Sequence, residues 1–275
     1  MTLGQWTALL SRSALAMATI LSLEGCGAKE PATDAERLAR GRELVQQMSA
    51  RLAAATNVAV TTTEMRDIVS SSGAKTSVSM TGEYAMRRPD RFYAKRTGGR
   101  GLEAWYDGKM LTVTAHQEKV FAQAPMPETI DRTLDAMAER YDMPLPLGDL
   151  FYSSPEKALL SGTTTGGYAG TEDVNGTPCH HLAFQDVGVR WELWLPVKGE
   201  PLPKRFKTVH EKRKGQPVTD VTFTGWTFAP APTADARFTP NVPTGYEGIA
   251  ILQRAAAVKA AAAKASPEPG VPAKK

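Results

Sequence analysis

The chain has 275 residues, with 33 Lys or Arg against 29 Asp or Glu, for a formal net charge of +4. With 42% hydrophobic and 23% charged residues it can bury one substantial core, and no stretch is long enough and apolar enough to span a bilayer. Its two cysteines leave open a disulfide, a metal pair or two unrelated thiols.

The N-terminal stretch "MTLGQWTALLSRS" carries one side-chain charge, Arg12, and is followed by the apolar run Ala14 to Leu23. Such a run would form a helix of about 15 Å, half of a bilayer core, which fits the central region of a secretory signal. Leu23-Glu24-Gly25-Cys26 then resembles the bacterial lipobox, in which the cysteine is lipidated and becomes the first mature residue; Glu24 stands where that motif is normally small or apolar. The plainer alternative is an ordinary signal peptide cut nearby. Lipidation of Cys26 would leave Cys179 without a partner and tie the protein to a membrane, since two or three acyl chains anchor stably. Gly27, where inner-membrane retention uses aspartate, favours the outer membrane. Removing residues 1–25 takes away Arg12 and Glu24, so the charge is unchanged. A mildly basic exported chain suits anionic lipid head groups or cell-wall polymers, or simply carries a solvated loop and tail, and nucleic acid is not an expected partner.

Residues 26–32 read as a tether. From Thr33 to Ala55 the spacing of Leu38, Val45, Met48 and Leu52 predicts an amphipathic helix, capped by Thr33 or Asp34. Strands follow: "NVAVTTTEMRDIV" is β-branched, and "KTSVSMTGEYAM" alternates with Val78, Met80, Tyr84 and Met86 on one face. "LEAWYDGKMLTVTA" is a hairpin turning at Asp107-Gly108, and "EKVFAQA" continues it. Residues 128–160 interrupt the series with helical signals, Ile130, Leu134, Met137 and Tyr141 forming one stripe. Pro144 and Pro146 stop that helix, and Ser154-Pro155 starts another, with serine as cap. A second run of strands includes the hairpin at Asn175-Gly176, "VRWELWLP" and "VTFTGWTF", and ends in the short segment "ARFTPNVPTGYEGI". Tight turns between successive strands predict an antiparallel meander. Strict alternation puts Trp194 opposite Trp191 and Leu193, and Trp226 and Phe228 opposite Val221 and Phe223. The tail 253–275 is rich in Ala, Lys and Pro, and disorder is expected after Ser266.

The segments "MRRPDRFYAKR", "PLGDLFYS", "VNGTPCHHLAF" and "FTGWTFAPAPTADARFTPNVPTGYEGI" resemble DUF2092, a bacterial family of predicted periplasmic proteins. More distantly the chain is similar to the outer-membrane lipoprotein carrier and receptor superfamily. The likeness runs from about Thr33 to Ile249. It implies an α+β fold: a strongly curved antiparallel sheet, an unclosed β-barrel, whose concave side is covered by an N-terminal helix and a mid-chain helical insert. It also implies a cavity for acyl chains, in one domain spanning residues 33–252 with a lid at 128–160.

On that reading, Met80, Tyr84, Phe92, Trp191 and Leu193 are candidate ligand contacts from the sheet, and Met137, Tyr141, Leu147 and Phe151 from the helices. Core packing accounts for the same residues equally simply, since helix stripes and alternating strands must bury something. In "CHH", Cys179 and His181 share one strand face and His180 takes the other, too few ligands for zinc; Cys179 reads as a small buried hydrophobe. No nucleophile elbow, zinc helix or phosphate loop is present, and no catalytic residue, metal or cofactor is expected. The expected function is a non-catalytic envelope lipoprotein that binds a lipid or the acyl chain of a lipoprotein. The alternatives are a sensor or protein-interaction module with a filled core, its partner another envelope protein, and an envelope hydrolase.

Overall fold

The computed structural model describes residues 30–230, 233–251 and 253. The expected signal segment, Cys26, most of the tether and all but the first residue of the tail lie outside the described residues. Helix α1 (Asp34–Ala53) leads into β1 (Asn57–Val69), β2 (Lys75–Arg87), β3 (Arg91–Thr97), β4 (Leu102–Tyr106), β5 (Met110–Ala115) and β6 (Val120–Pro125). The insert holds α2 (Ile130–Tyr141), a 3-10 turn at Gly148–Leu150 and α3 (Pro155–Leu160). Then come β7 (Thr163–Val174), β8 (Thr177–Asp186), β9 (Val189–Pro196), β10 (Arg205–His210), β11 (Val218–Thr227), α4 (Asp235–Phe238) and β12 (Glu247–Ile249). No helix among the described residues is long and apolar enough to cross a membrane.

Among the described residues all strands join one 12-stranded sheet in the order β12-β6-β5-β4-β3-β2-β1-β11-β10-β9-β8-β7. Two meanders, β1 to β6 and β7 to β11, are therefore fused by the long-range pairing of β1 with β11. The sheet is open, with β12 and β7 at its edges. Laid flat, twelve strands at about 4.8 Å spacing would be roughly 50 Å wide. Instead the inner side chains of β1 to β11, from Ala124 on β6 to Tyr168 on edge strand β7, belong to a single core with α1, α2 and α3. Because β6 and β7 lie at opposite sides of the sheet, the chain between them must cross it. The helical insert makes that crossing over the concave face.

Local chemistry sets the helix ends. Thr33 accepts the Glu36 N–H, and the Glu36 carboxylate accepts the Thr33 N–H at 2.9 Å, closing a capping box. Leu44, Val45, Met48 and Leu52 form the buried stripe of α1. Gly41 sits where the helix crosses β7: a Cβ there would lie 2.7 Å from Gly167 Cα, so the two backbones touch. Helix α2 stops before its prolines, at Asp142 in a left-handed conformation (φ 53°). Ser154 stands at the N-cap of α3 with Pro155 in its first turn, as expected, but its side chain makes no capping bond; the first-turn N–H of Glu156 donates instead to Ser49 Oγ on α1, at 3.1 Å.

Two further expectations fail. The final segment is not another antiparallel strand: only Glu247–Ile249 pairs, and it runs parallel to β6, which the long connection after β11 permits. In β11 the alternation slips. Thr61 pairs with Gly225 but Thr62 with Phe223, so Thr224 is a bulge residue, and Trp226 returns to the inner face. There it stacks on Phe223, ring centroids 5.3 Å apart, and Phe228 also packs on the core.

Candidate functional site

The concave interior brings together nearly all the side chains singled out from the sequence. Tyr84, Phe92, Trp191, Leu193, Met137 and Phe151 lie in the one apolar core, with Tyr141 and Leu147 partly buried against it. One ring contact crosses the interior, Tyr84 meeting Phe151 from the insert at 5.9 Å, while along the sheet Trp191 stacks at 4.4 Å on Phe184, its register partner on β8. Met80 is the exception. It is buried on the same face of β2 but beyond that core, with its sulfur 3.3 Å from Arg96 Nη2.

Besides its contact with Ser49 of α1, the insert is held down at the β2–β3 turn. Arg88, in the β2–β3 turn, donates to the carbonyls of Phe151 and Tyr152 at 3.3 and 2.8 Å. Tyr152 donates to Asp135, and Ser153 to Asp131, which ties the turn after Leu150 back to α2. Burial depresses the Arg88 pKa, opposed by the charge of Asp131.

Two depressions adjoin this interior. One, of about 500 Å³, lies among Asp131, Asp135, Asp149, Tyr152, Lys157 and Ala158, and its three carboxylates suit an acyl chain poorly. The other, of about 340 Å³, is smaller but chemically better suited. Its walls include Leu202, Phe223 and Trp226, which belong to the apolar core or pack on it, and Lys198, Glu200 and Lys204 line it as well. Arg51, at the end of α1, pairs with Glu200 at 3.1 Å and lies over the Phe228 ring at 3.6 Å. The C-terminal turn of α1 thus sits beside this cleft.

Past Tyr84 the inner face turns polar, which the sequence reading missed. On β1 the residues Val58, Val60, Thr62 and Glu64 share one face, and all are buried. Glu64, only 1% exposed, accepts from the Tyr84 hydroxyl at 2.7 Å and the Thr62 hydroxyl at 3.1 Å. It also pairs with Arg96 of β3 at 3.1 Å. Arg96 reaches across β2 because its register partner there is Gly82, where a Cβ would stand 2.7 Å from the Glu64 carboxylate. Burial, then the Glu64 charge and hydrogen bond, drive the Tyr84 pKa far above its ordinary value, so the phenol stays a donor. The signal was present in the parity of Glu64 with Val58 and Val60, but the partner two strands away was not.

Two apolar patches of the outer face are covered by the protein itself. Phe238 of α4 covers Ala85, Tyr93 and Trp105. Trp194 packs with Val174 and Cys179, stacks on His181 at 4.5 Å and donates its indole N–H to Glu172. His181 bridges Glu172 and Glu192, while His180 turns inward to the Tyr168 ring. Burial raises the Cys179 thiol pKa, which keeps it inert as a nucleophile.

A family profile described as "Predicted periplasmic protein (DUF2092)" matches residues 41–252. No curated protein matches the chain in sequence. Among solved structures it is similar to an uncharacterized conserved protein from Thermus thermophilus (12% identity, TM-score 0.44, 76% of this chain and 98% of that one). It is also similar to a chain of the Pseudomonas aeruginosa MucA/MucB complex (16%, 0.41, 74% and 63%). A third likeness is to the Mycobacterium tuberculosis lipoprotein LppX (12%, 0.35, 73% and 98%).

Proposed function

This chain belongs to the DUF2092 family of predicted periplasmic proteins, and on that premise we propose that it is a non-catalytic envelope protein that binds the acyl chain of a lipid or lipoprotein in its concave interior. The observation that carries the reading is the cleft of about 340 Å³, whose walls Leu202, Phe223 and Trp226 are continuous with the apolar core. Its volume falls within the roughly 300–1,000 Å³ of small-molecule pockets. An acyl chain entering there would displace the partly buried rings of Trp226 and Phe228 and advance toward Trp191 and Leu193. Met137, Tyr141, Leu147 and Phe151 would move with the insert as it gave way. Each buried methylene would contribute about 0.8 kcal/mol. Lipidation of Cys26 would hold the protein at the outer membrane, beside its ligand.

The Tyr84–Phe151 contact across the interior favours a second reading, an interaction module with a filled core whose partner is another envelope protein. Native mass spectrometry separates the two. Protein carrying Cys26→Ser, purified from its own host without harsh detergent, is expected to show an added mass that dissociates as lipid. Recovery of the bare chain mass alone would select the filled-core module.

A further inference from the structure

We propose that the end of the sheet formed by the β1–β2, β8–β9 and β10–β11 turns docks on an anionic bilayer surface, with Val187 at the point of contact. This goes beyond the proposed function and stands without an acyl site.

The three turns are far apart in sequence and meet in the fold. The Glu211 N–H donates to the Gly188 carbonyl at 3.0 Å. The Lys212 stem lies along the β8–β9 turn, its Cδ 2.6 Å from where a Cβ on Gly188 would stand. Lys214 lies on the β1–β2 turn: its Nζ donates to the Ser71 carbonyl at 3.3 Å, and its Cε is 2.6 Å from the place of a Cβ on Gly73. Gly215 adjoins Val69 in the same way, at 3.1 Å. Lys212, Arg213 and Lys214, all exposed, thus form one basic ridge between two other turns.

The neighbouring acids are already taken. Asp67 pairs with Lys75 at 3.2 Å, Glu211 with Arg190 at 3.7 Å, and Asp186 accepts the Val187 N–H. Among the described residues Lys212, Arg213 and Lys214 make no ion pair. The same end carries aliphatic side chains that the core does not take. Val187, in the β8–β9 turn, is 70% exposed, the most exposed large hydrophobic residue of those described, and Ile68 near the end of β1 is 53% exposed. Solvation accounts for lysines alone. Aliphatic tips beside unpaired cations match a bilayer interface, where the apolar group enters the head-group boundary and the cations stay at the lipid phosphates.

Helix α1 points the same way. It touches Gly167 at Gly41 and ends with Arg51 on Glu200, beside the cleft. Its start is therefore directed away from the cleft, toward the end where Thr163 of β7 pairs with Asp186 next to the β8–β9 turn.

The test is cosedimentation of the full chain carrying Cys26→Ser with two kinds of vesicle. One holds phosphatidylglycerol and phosphatidylcholine in equal parts, the other phosphatidylcholine alone. Binding is expected to the first only, and it should weaken in high salt. Each Lys or Arg near an anionic surface contributes about fivefold, so Lys212→Gln, Arg213→Gln and Lys214→Gln combined should weaken binding about a hundredfold. Lys212→Arg with Lys214→Arg keeps the charge and should bind as the parent does, and both variants should keep the parent's melting midpoint. A polarity-sensitive dye on Val187→Cys should shift to the blue on the mixed vesicles, Cys179 being buried. The same dye on Val197→Cys, past the opposite end of β9, should not respond. Undiminished affinity in the combined Gln variant, equal binding to both vesicles, or a shift on Val197→Cys with none on Val187→Cys overturns the docking surface. Cosedimentation with purified peptidoglycan in place of vesicles would assign the ridge to the cell wall and overturn it as well.

Discussion

Glu64→Ala is expected to destabilise the fold by about 3–5 kcal/mol, the cost of leaving a buried guanidinium unpaired. The substitution removes the partner of Arg96 and the acceptor of both Tyr84 and Thr62 at once. Urea unfolding, with the slope held constant, reads the loss directly. The companion variant sharpens the result. Glu64→Leu with Arg96→Met removes both charges and replaces them with apolar groups, so it should recover most of the loss. That recovery would assign the cost to the stranded charge and not to a void. A loss below about 1 kcal/mol for Glu64→Ala would mean that water reaches Arg96, as it does at exposed ion pairs.

Gly41→Ala carries the second large effect, and its sign reverses the usual rule. In an exposed helix interior the change stabilises by about 1 kcal/mol. Here the new methyl would stand 2.7 Å from Gly167 Cα, 2.8 Å from its carbonyl carbon and 2.9 Å from the Tyr168 nitrogen. All three are backbone atoms of β7 and cannot rotate away. Overpacking of this kind costs about 1–3 kcal/mol, and here it acts on the whole of α1. Gly167 is constrained from the other side, since its own Cβ would stand 2.3 Å from the Arg37 carbonyl oxygen. The expected result is a lower urea midpoint together with faster amide exchange along α1. An unchanged or raised midpoint would show that α1 can ride higher on β7 without loss.

Much of this architecture was legible in the residues. The β-branched run of β1, the alternation of β2 and the stripe Ile130, Leu134 and Met137 each carry one period, and each element formed where its period indicated. The capping box at Thr33 could be read as a local motif because both partners lie within four residues. What escaped depends on contacts made only after the chain has folded. Thr224 becomes a bulge because Thr61 and Thr62 of β1 claim Gly225 and Phe223, which turns Trp226 inward. Ser154 stands at the N-cap without a side-chain bond, the first-turn N–H of Glu156 finding its acceptor in Ser49 of another helix. Glu64 shares the parity of Val58 and Val60, but its partner Arg96 reaches it from two strands away only because Gly82 stands between them. Of the candidate site, the apolar residues were visible through periodicity. Their polar boundary at Tyr84 and the cleft beside Glu200 were not, since both assemble from segments more than a hundred residues apart or from strands brought together by the sheet.

The claim on which the functional account turns is that an acyl chain can enter the space now filled by the inner aromatic rings. A lysophosphatidylglycerol bearing a photoactivatable diazirine at its chain terminus tests it, with adducts located by tandem mass spectrometry after irradiation of the bound complex. The account predicts adducts on inner-face residues of the core, Phe184, Trp191 and Phe223 first. Adducts confined to the outer face, at Trp105, Trp194 or Phe238, or no adduct at saturating ligand, would contradict it.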